Sequence, residues 1–149
     1  MLLIRRTKTY KGLRLTKEQS LQVSSPQKIQ EALLRPNCLG FYGYEGEEPI
    51  AFALLREFGP GAYFLWNFVV DLHHQGCGKG KAFLRGLVDM LAKDHSATLV
   101  TTTYRYGNHV AKRLYEGFGF VETDVVDEDG IHEVNMRYVV SQAPGSDPR

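Results

Sequence analysis

A strand, a glycine turn, a long helix and a second strand follow one another in the middle of the chain, and this order constrains the fold most. The apolar run GAYFLWNFVVD, residues 61–71, precedes the turn HHQGCGKG, residues 73–80. A helix is predicted from Gly78 to Lys93, and β-branched residues follow in ATLVTTTY, residues 97–104. Because the helix makes a crossover connection, the two strands are predicted to be parallel neighbours in one sheet.

The segments on both sides of this unit extend the sheet. An opening strand, two short helices within residues 15–37 and two strands within residues 38–57 are predicted before it. A helix over residues 108–118 and a closing hairpin through residues 127–130 are predicted after it. The order β-αα-β-β-β-α-β-α-β-β predicts an α+β (α/β-like) fold, with a mixed, mostly antiparallel sheet of about seven strands and about four flanking helices.

Local patterns support these helices. Their starts carry capping residues: Thr16 with Gln19, Ser25 before Pro26, and Asn108. Apolar residues at helical spacing predict buried faces: Ile29, Leu33 and Leu34; Phe83, Leu84, Leu87, Val88 and Leu91; Val110, Leu114 and Phe118.

Length and composition indicate one domain over residues 1–140, with a disordered tail over residues 141–149. The formal net charge of +1, without a run of basic residues, argues against nucleic acid or a membrane surface as partner. The opening MLLI is too short for a secretory signal, and no apolar run approaches about 20 residues. Because two cysteines also make no disulfide framework, we expect a cytoplasmic protein.

The glycine turn has the composition of a phosphate-binding loop. A Walker loop requires Ser or Thr after its lysine, but Gly80 and Ala82 follow Lys79 and Lys81. A dinucleotide fingerprint requires a third glycine where Lys81 stands. The remaining pattern, Gln75-x-x-Gly78-x-Gly80, would present backbone N–H groups to an anion at a helix start, or would be a tight turn without a ligand.

A second motif lies in NHVAKRLYEGFGF, residues 108–120. It brings Asn108, Ala111 and Tyr115 near one side of a helix, at spacings of three and four residues. Alone, a tyrosine such as Tyr115 is more often a core aromatic than a catalyst. The two motifs together, separated by one strand, resemble the GNAT superfamily of N-acetyltransferases over residues 62–126.

The resemblance implies acetyl-CoA as cosubstrate and a parallel strand pair that splays to admit its pantetheine arm. The glycine turn would bind the pyrophosphate, the preceding strand would offer backbone groups to the arm, and the second helix would contact it. The implied cofactor-binding residues are Phe68, Val69, Val70, Gln75, Gly76, Cys77, Gly78, Lys79, Gly80, Lys81, Asn108 and Ala111.

The resemblance also implies that Tyr115 is the general acid. After an amine attacks the thioester, the leaving thiolate must be protonated. A phenol of ordinary pKa, about 10, is close in acidity to an alkyl thiol. The backbone N–H of Val70 is a candidate to stabilise the oxyanion.

The sequence says less about the acceptor, the amine that would receive the acetyl group. Similarity to bacterial diamine and polyamine acetyltransferases favours a small primary amine, but Trp66-Asn67 stands where those enzymes often carry a carboxylate. Trp66 could stack on a cation or form the cleft wall. Other carboxylates that could serve are Glu57, Glu122, Asp124 and the Asp127–Asp129 group.

Two alternatives to this function follow from the sequence. The acceptor could be a protein or peptide amine, or the chain could be a non-catalytic acyl-CoA sensor. His73, His74 and Cys77 lack a fourth ligand at suitable spacing, so no metal is expected. A homodimer is compatible with the resemblance, although no apolar face in the sequence requires one.

Overall fold

The computed structural model describes residues 2–140. Its strands are β1 (Leu3–Thr7), β2 (Cys38–Glu45), β3 (Glu48–Gly59), β4 (Ala62–Val70), β5 (Leu99–Arg105), β6 (Val121–Glu128) and β7 (Ile131–Val139). Its helices are α1 (Lys17–Gln22), α2 (Pro26–Leu33), α3 (Lys79–His95) and α4 (His109–Phe118), with a 3-10 helix at Leu72–His74. This order confirms the predicted one, whereas the predicted disordered tail lies outside the described residues.

The strands form a seven-stranded sheet in the order β1-β2-β3-β4-β5-β7-β6. The pair β4–β5 is parallel and the other described pairs are antiparallel, which confirms the mixed sheet and the crossover through α3. Between residues 2 and 140, none of the helices combines the length and the apolar character that crossing a membrane requires.

Each face of the sheet carries its own hydrophobic cluster. On one face, α3 and α4 cover the larger cluster, and all five predicted residues of the α3 stripe are buried in it. On the other face, α2 covers a smaller cluster through Ile29, Ala32 and Leu33. The prediction for Leu34 was wrong: it follows the end of α2 and is 72% exposed. Ala32, three residues after Ile29, completes the buried face instead.

The parallel pair opens after four residues. Backbone pairing between β4 and β5 covers only Ala62–Leu65 against Leu99–Thr102. At the point of opening, the buried hydroxyl of Thr102 donates to the carbonyl oxygen of Leu65 at 3.1 Å. On its other edge, β4 has a bulge, because Leu54 faces Asn67 while Leu55 faces Leu65. Trp66 is the extra residue, and a bulge increases strand twist. The second half of β4 therefore leaves β5 and opens a cleft.

The segment before α1 is fastened to the end of β4 through Asp71. This carboxylate, 3% exposed, accepts from the backbone N–H of Arg14 at 2.9 Å and from its guanidinium at 3.1 and 2.9 Å. It also accepts from the N–H of His73 at 3.1 Å, and so starts the 3-10 helix. Burial alone would raise the pKa of Asp71, but the hydrogen bonds from Arg14 and His73 outweigh it and lower the pKa.

We predict that Asp71→Asn lowers the free energy of unfolding by roughly 1–3 kcal/mol, because it removes hydrogen bonds to a charged group. The folded protein lowers the pKa of Asp71 below that of the unfolded chain. The stabilisation by Asp71 is therefore fully present above the unfolded-state pKa and is lost as the pH falls through the folded-state pKa. Urea unfolding at several pH values measures both effects. The difference in the free energy of unfolding between wild type and Asp71→Asn should be largest at pH 7 and should decrease at acidic pH.

Glu48→Gln is the matched control. Glu48 contacts the same Arg14 at 3.3 Å, but both side chains are more than half exposed there. Its loss should cost less than about 1 kcal/mol. Equal losses in the two variants would contradict the role assigned to Asp71.

Candidate active site

The opening between β4 and β5 is part of a cleft of about 1070 Å³. Its walls come from the second half of β4, the glycine turn, the end of β5, the start of α4 and the α1–α2 segment. The cleft thus joins the two motifs that the sequence singled out. Of the predicted site residues, the following line it: Phe68, Val69, Val70, Gln75, Gly76, Gly78, Gly80, Lys81, Asn108, Ala111 and Tyr115.

In the described part of the chain, the second half of β4 has no neighbouring strand on the cleft side. Asp71 donates its N–H to Ile50 of β3 at 2.7 Å, and antiparallel pairing alternates along a strand. The N–H and C=O groups of Phe68 and Val70 therefore point away from β3 and toward the cleft. Those of Val69 point to β3, so only its side chain contributes to the lining. The position of Val70 agrees with a role of its backbone in binding.

Two glutamine side chains donate hydrogen bonds to the carbonyl oxygen of Val70. Gln75, from the turn, donates to it at 2.9 Å, and Gln19, from α1, donates to it at 3.3 Å. The two amides also bond to each other at 2.6 Å. Gln19 was not among the predicted site residues, although its capping-box role with Thr16 is confirmed. The hydrogen bond from Gln19 to Val70 could not be predicted in the same way, because it depends on where α1 packs against the sheet.

The glycine turn presents bare backbone to the cleft. Gly76 and Gly78 have φ angles of 79° and 81°, in the left-handed region that favours glycine. A Cβ at either position would meet no atom within 4 Å, so the space in front of them is open. Gly78 is the N-cap of α3 without a side-chain hydrogen bond, and the first N–H groups of a helix have no partner inside it. The turn therefore fits an anionic group.

Only one of the two lysines in the turn faces this space. Lys81 lines the cleft, as predicted for a cation beside a phosphate. Lys79 lies elsewhere: its Nζ is 2.9 Å from Glu45 and 2.9 Å from Nδ1 of His74. Cys77 is exposed and donates to the carbonyl oxygen of His74 at 3.2 Å. Neither Lys79 nor Cys77 contributes to the lining, so the structure does not bring these two residues to the cleft.

The start of α4 forms the opposite wall. Asn108 caps the helix by accepting from the N–H of Ala111 at 3.1 Å, which confirms its predicted capping role. Its side-chain amide also donates to Gln22 of α1, so α1 spans the cleft. The prediction for Val110 was wrong: it is 71% exposed and lines the cleft. A residue that faces a cleft follows the same helical spacing as one that faces a core.

Tyr115 lies at the inner end of the cleft. It is 5% exposed, and its ring packs against Phe68 and Phe120 at centroid distances of 6.4 and 5.3 Å. Burial raises its pKa to about 12, partly offset by the hydroxyl of Thr102. The expectation of an ordinary pKa near 10 was therefore wrong, because the surrounding aromatic rings disfavour the charged phenolate.

The face of β4 toward α1 and α2 carries Trp66 and Asn67. Trp66 is partly buried, packs against the α2 cluster and lines the cleft. Asn67 is buried: its Oδ1 accepts from the N–H of Ser24 at 2.9 Å, and its Nδ2 donates to the hydroxyl of Ser24 at 3.2 Å. Both ends of this amide are therefore used to hold the connection between α1 and α2.

The carboxylates proposed from the sequence lie outside the cleft lining. Their contacts are elsewhere: Glu57 with Tyr63, Glu122 with Tyr104, Asp124 with Asn135, and Asp127 with His132. Two other carboxylates, Glu18 and Glu133, line the cleft instead. Sequence reasoning missed both. The position of Glu18 depends on how α1 packs across the cleft, and the side on which Glu133 points depends on the register of β7 in the sheet.

Comparison with known proteins agrees with this geometry. The sequence matches the Acetyltransferase (GNAT) family over residues 6–120. That match covers more than half of the chain, and the chain therefore belongs to the GNAT acetyltransferase family.

Two curated relatives and one solved structure are similar to the chain. A probable spermine N(1)-acetyltransferase of Bacillus subtilis subsp. natto is 34% identical over 70 residues, 47% of this chain and 46% of that protein. An L-2,4-diaminobutyric acid acetyltransferase of Streptomyces coelicolor is 26% identical over 102 residues, 60% of either protein. The chain thus spans less than two thirds of the length of each.

The solved structure is that of spermidine N-acetyltransferase from Vibrio cholerae in complex with CoA and spermine. It superposes with a TM-score of 0.75 at 16% identity and covers 93% of this chain and 95% of that chain. At this identity the likeness shows a shared fold.

We predict that Gly78→Ala weakens CoA binding by about 10-fold or more, because a methyl group enters the open space before the turn and displaces its N–H groups. Isothermal titration calorimetry with CoA measures the affinity. Gly130→Ala is the matched control, since Gly130 has a φ of 77°, no atom within 4 Å of an added Cβ, and a position in the β6–β7 turn away from the cleft.

Both variants place alanine in the left-handed region and should lose about 1–2 kcal/mol of stability. Only Gly78→Ala should lose affinity for CoA. Equal affinities in the two variants would show that the turn does not bind the cofactor.

Proposed function

We propose that the chain is an acetyl-CoA-dependent N-acetyltransferase that acts on a small primary amine of the diamine or polyamine class. The observation that carries this proposal is the continuity of the cleft: one channel runs from an anion-binding turn, along free strand backbone, to a buried phenol. Acetyl-CoA supplies the acetyl thioester, and the residues of the chain bind it, orient it and provide a proton.

The binding residues divide by the chemistry of the groups they meet. The N–H groups at the start of α3, with Lys81, suit the pyrophosphate. The cleft-facing backbone groups of Phe68 and Val70 suit the amides of the pantetheine arm. To reach the carbonyl oxygen of Val70, the arm must displace the side chains of Gln19 and Gln75.

Tyr115 is the proposed general acid. With its pKa near 12, the phenol stays protonated at neutral pH and can donate. Against an alkyl thiol of ordinary acidity, the transfer would be uphill by about 1.4 kcal/mol per pKa unit. Burial among aromatic rings also raises the pKa of a thiol, because it disfavours the thiolate in the same way. The shared environment therefore reduces the mismatch between donor and acceptor.

The acceptor class is supported by the relatives. One curated relative is named for spermine and another for L-2,4-diaminobutyric acid, and the solved structure of similar fold contains spermine. These acceptors share a primary amine and a second basic group. Asn67 stands where the resemblance places a carboxylate, but its carboxamide carries no charge and both of its ends are bonded to Ser24. Recognition of the acceptor must therefore use other residues of the cleft.

A thiol-release assay with acetyl-CoA tests the function against spermidine, spermine, short diamines, amino acids and peptides. The proposal predicts turnover with small amines that carry a second charged group. Turnover with peptides alone would indicate that the acceptor is a protein or peptide amine. CoA binding without turnover on any amine would favour a sensor.

We predict that Tyr115→Phe lowers kcat by about 10²–10⁴-fold, because the proton donor is lost while the ring is kept. The affinity for acetyl-CoA, measured by calorimetry, should change little. Tyr63→Phe is the matched control: its phenol is also buried, donates to Glu57 at 3.4 Å and lies outside the cleft lining. Unchanged turnover in Tyr115→Phe would show that Tyr115 is not the general acid.

A further inference from the structure

Two side chains of opposite charge stand side by side at the end of the cleft near α4. Arg105 of β5 and Glu133 of β7 are direct partners in the register of the sheet, and both line the cleft. Directly opposed residues of antiparallel strands have Cβ atoms about 4.5–5.5 Å apart. The proposed function leaves both side chains without a role.

Their orientation follows from the alternation of the two strands. In β7, Val134 and Met136 are buried in the cluster beneath α3 and α4, and in β5, Thr102 and Tyr104 are buried. Successive strand residues point to opposite faces. Arg105 and Glu133 therefore point to the face that carries α1 and α2, which is also the face of Trp66.

Neither side chain forms an ion pair with another residue that the structure describes, although the two face each other. Glu133 is partly buried as a residue, and the side-chain hydrogen bonds found between residues 2 and 140 leave its carboxylate oxygens open to a ligand in the cleft. Such a pair can bind an ammonium group at the carboxylate and a carboxylate group at the guanidinium.

A short diamine together with the side chains of Arg105 and Glu133 can span the distance between the backbone of this pair and the opening of the strands. The opening is at Thr102, whose partner in β7 is Met136. Glu133 is three residues further along the strand, which is about 10 Å at about 3.3 Å per residue. A group bound there would be the far end of an acceptor whose reacting amine lies near the opening.

We propose that Arg105 and Glu133 form a distal acceptor subsite that selects an amine whose other end carries both an ammonium and a carboxylate group. This inference rests on the proposed function and narrows its substrate class to diamino acids. Glu133 alone would suit any diamine, but Arg105 beside it repels a lone ammonium and attracts a carboxylate. A monoamine would leave both charges without a partner.

Ornithine and 1,4-diaminobutane are matched probes, because ornithine is the same diamine with a carboxylate added. For the wild type, kcat/KM should be about 10-fold or more higher with ornithine. Arg105→Gln should abolish this preference by raising KM for ornithine about 10- to 100-fold, with little effect on 1,4-diaminobutane. Glu133→Gln should raise KM for both acceptors, because both place an ammonium at this position. KM for acetyl-CoA should stay within about 2-fold in both variants.

Arg137→Gln and Glu128→Gln are control variants, since these exposed charges lie on β7 and β6 outside the cleft lining. Both should leave the acceptor preference unchanged. Equal kcat/KM for the two probes in the wild type would overturn the inference while leaving the proposed function intact. So would an Arg105→Gln variant whose main loss is in KM for acetyl-CoA, because that result places the arginine at the cofactor.

Calorimetry of ornithine binding to the CoA-saturated protein separates recognition from turnover. Suppose that ornithine binds, that Arg105→Gln and Glu133→Gln each weaken this binding, and that no amine of the panel releases thiol. This result would support the subsite and contradict the proposed transferase function. Absence of ornithine binding, together with absence of turnover on every amine of the thiol-release panel, would overturn the two together.

Discussion

The early end of the β4–β5 pairing is the constraint on which the rest of the structure depends. Backbone hydrogen bonds join these parallel strands only as far as Leu65 and Thr102, where the threonine hydroxyl continues the connection with one side-chain bond. Beyond that point, the N–H and C=O groups of β4 that point away from β3 have no described strand beside them. Unpaired backbone in a sheet interior is costly unless another partner satisfies it. The extra residue Trp66 adds the local twist that keeps the strands apart.

The N-terminal third of the chain is fastened to this opening at several places. Arg14 binds the buried carboxylate of Asp71 at the end of β4, and Gln19 binds the carbonyl oxygen of Val70. Gln22 reaches Asn108 at the start of α4, and Ser24 is held by Asn67. The wall that would meet the acceptor is therefore attached to the same turn and strand that would hold the cofactor. A ligand that enters the channel must replace some of these polar contacts.

This arrangement gives the bare turn and the buried phenol separate tasks. The turn offers partial positive charge at the start of α3 and open space above Gly76 and Gly78. Tyr115 sits where water is largely excluded, and its pKa of about 12 reflects that exclusion. In the proposed function, the first task would position a thioester and the second would keep a proton available beside its sulfur.

Features fixed by short-range chemistry could be predicted from the sequence. The caps at Thr16, Ser25 and Asn108 depend on side chains three residues from their partners, and all three form. The crossover through α3 follows from general strand topology, and the parallel pair is present.

Other features depend on tertiary distances, and the sequence carries no direct signal for them. Lys79 stands next to cleft residues in the sequence but pairs with Glu45 at the end of β2. Val110 follows a core-like spacing but faces the cleft. The orientation of Glu133 is set by the register of β7 against β5, and the pKa of Tyr115 is set by the rings packed around it.

A crystal structure of the protein with bound CoA tests the central claim most directly. The account predicts that the diphosphate lies against the N–H groups that begin α3 and that the pantetheine arm follows β4. The sulfur should lie within about 3–4 Å of the Tyr115 hydroxyl, near enough for a proton to pass between them. A CoA molecule bound outside the opening of the two strands, or a sulfur separated from the phenol by packed side chains, would contradict it.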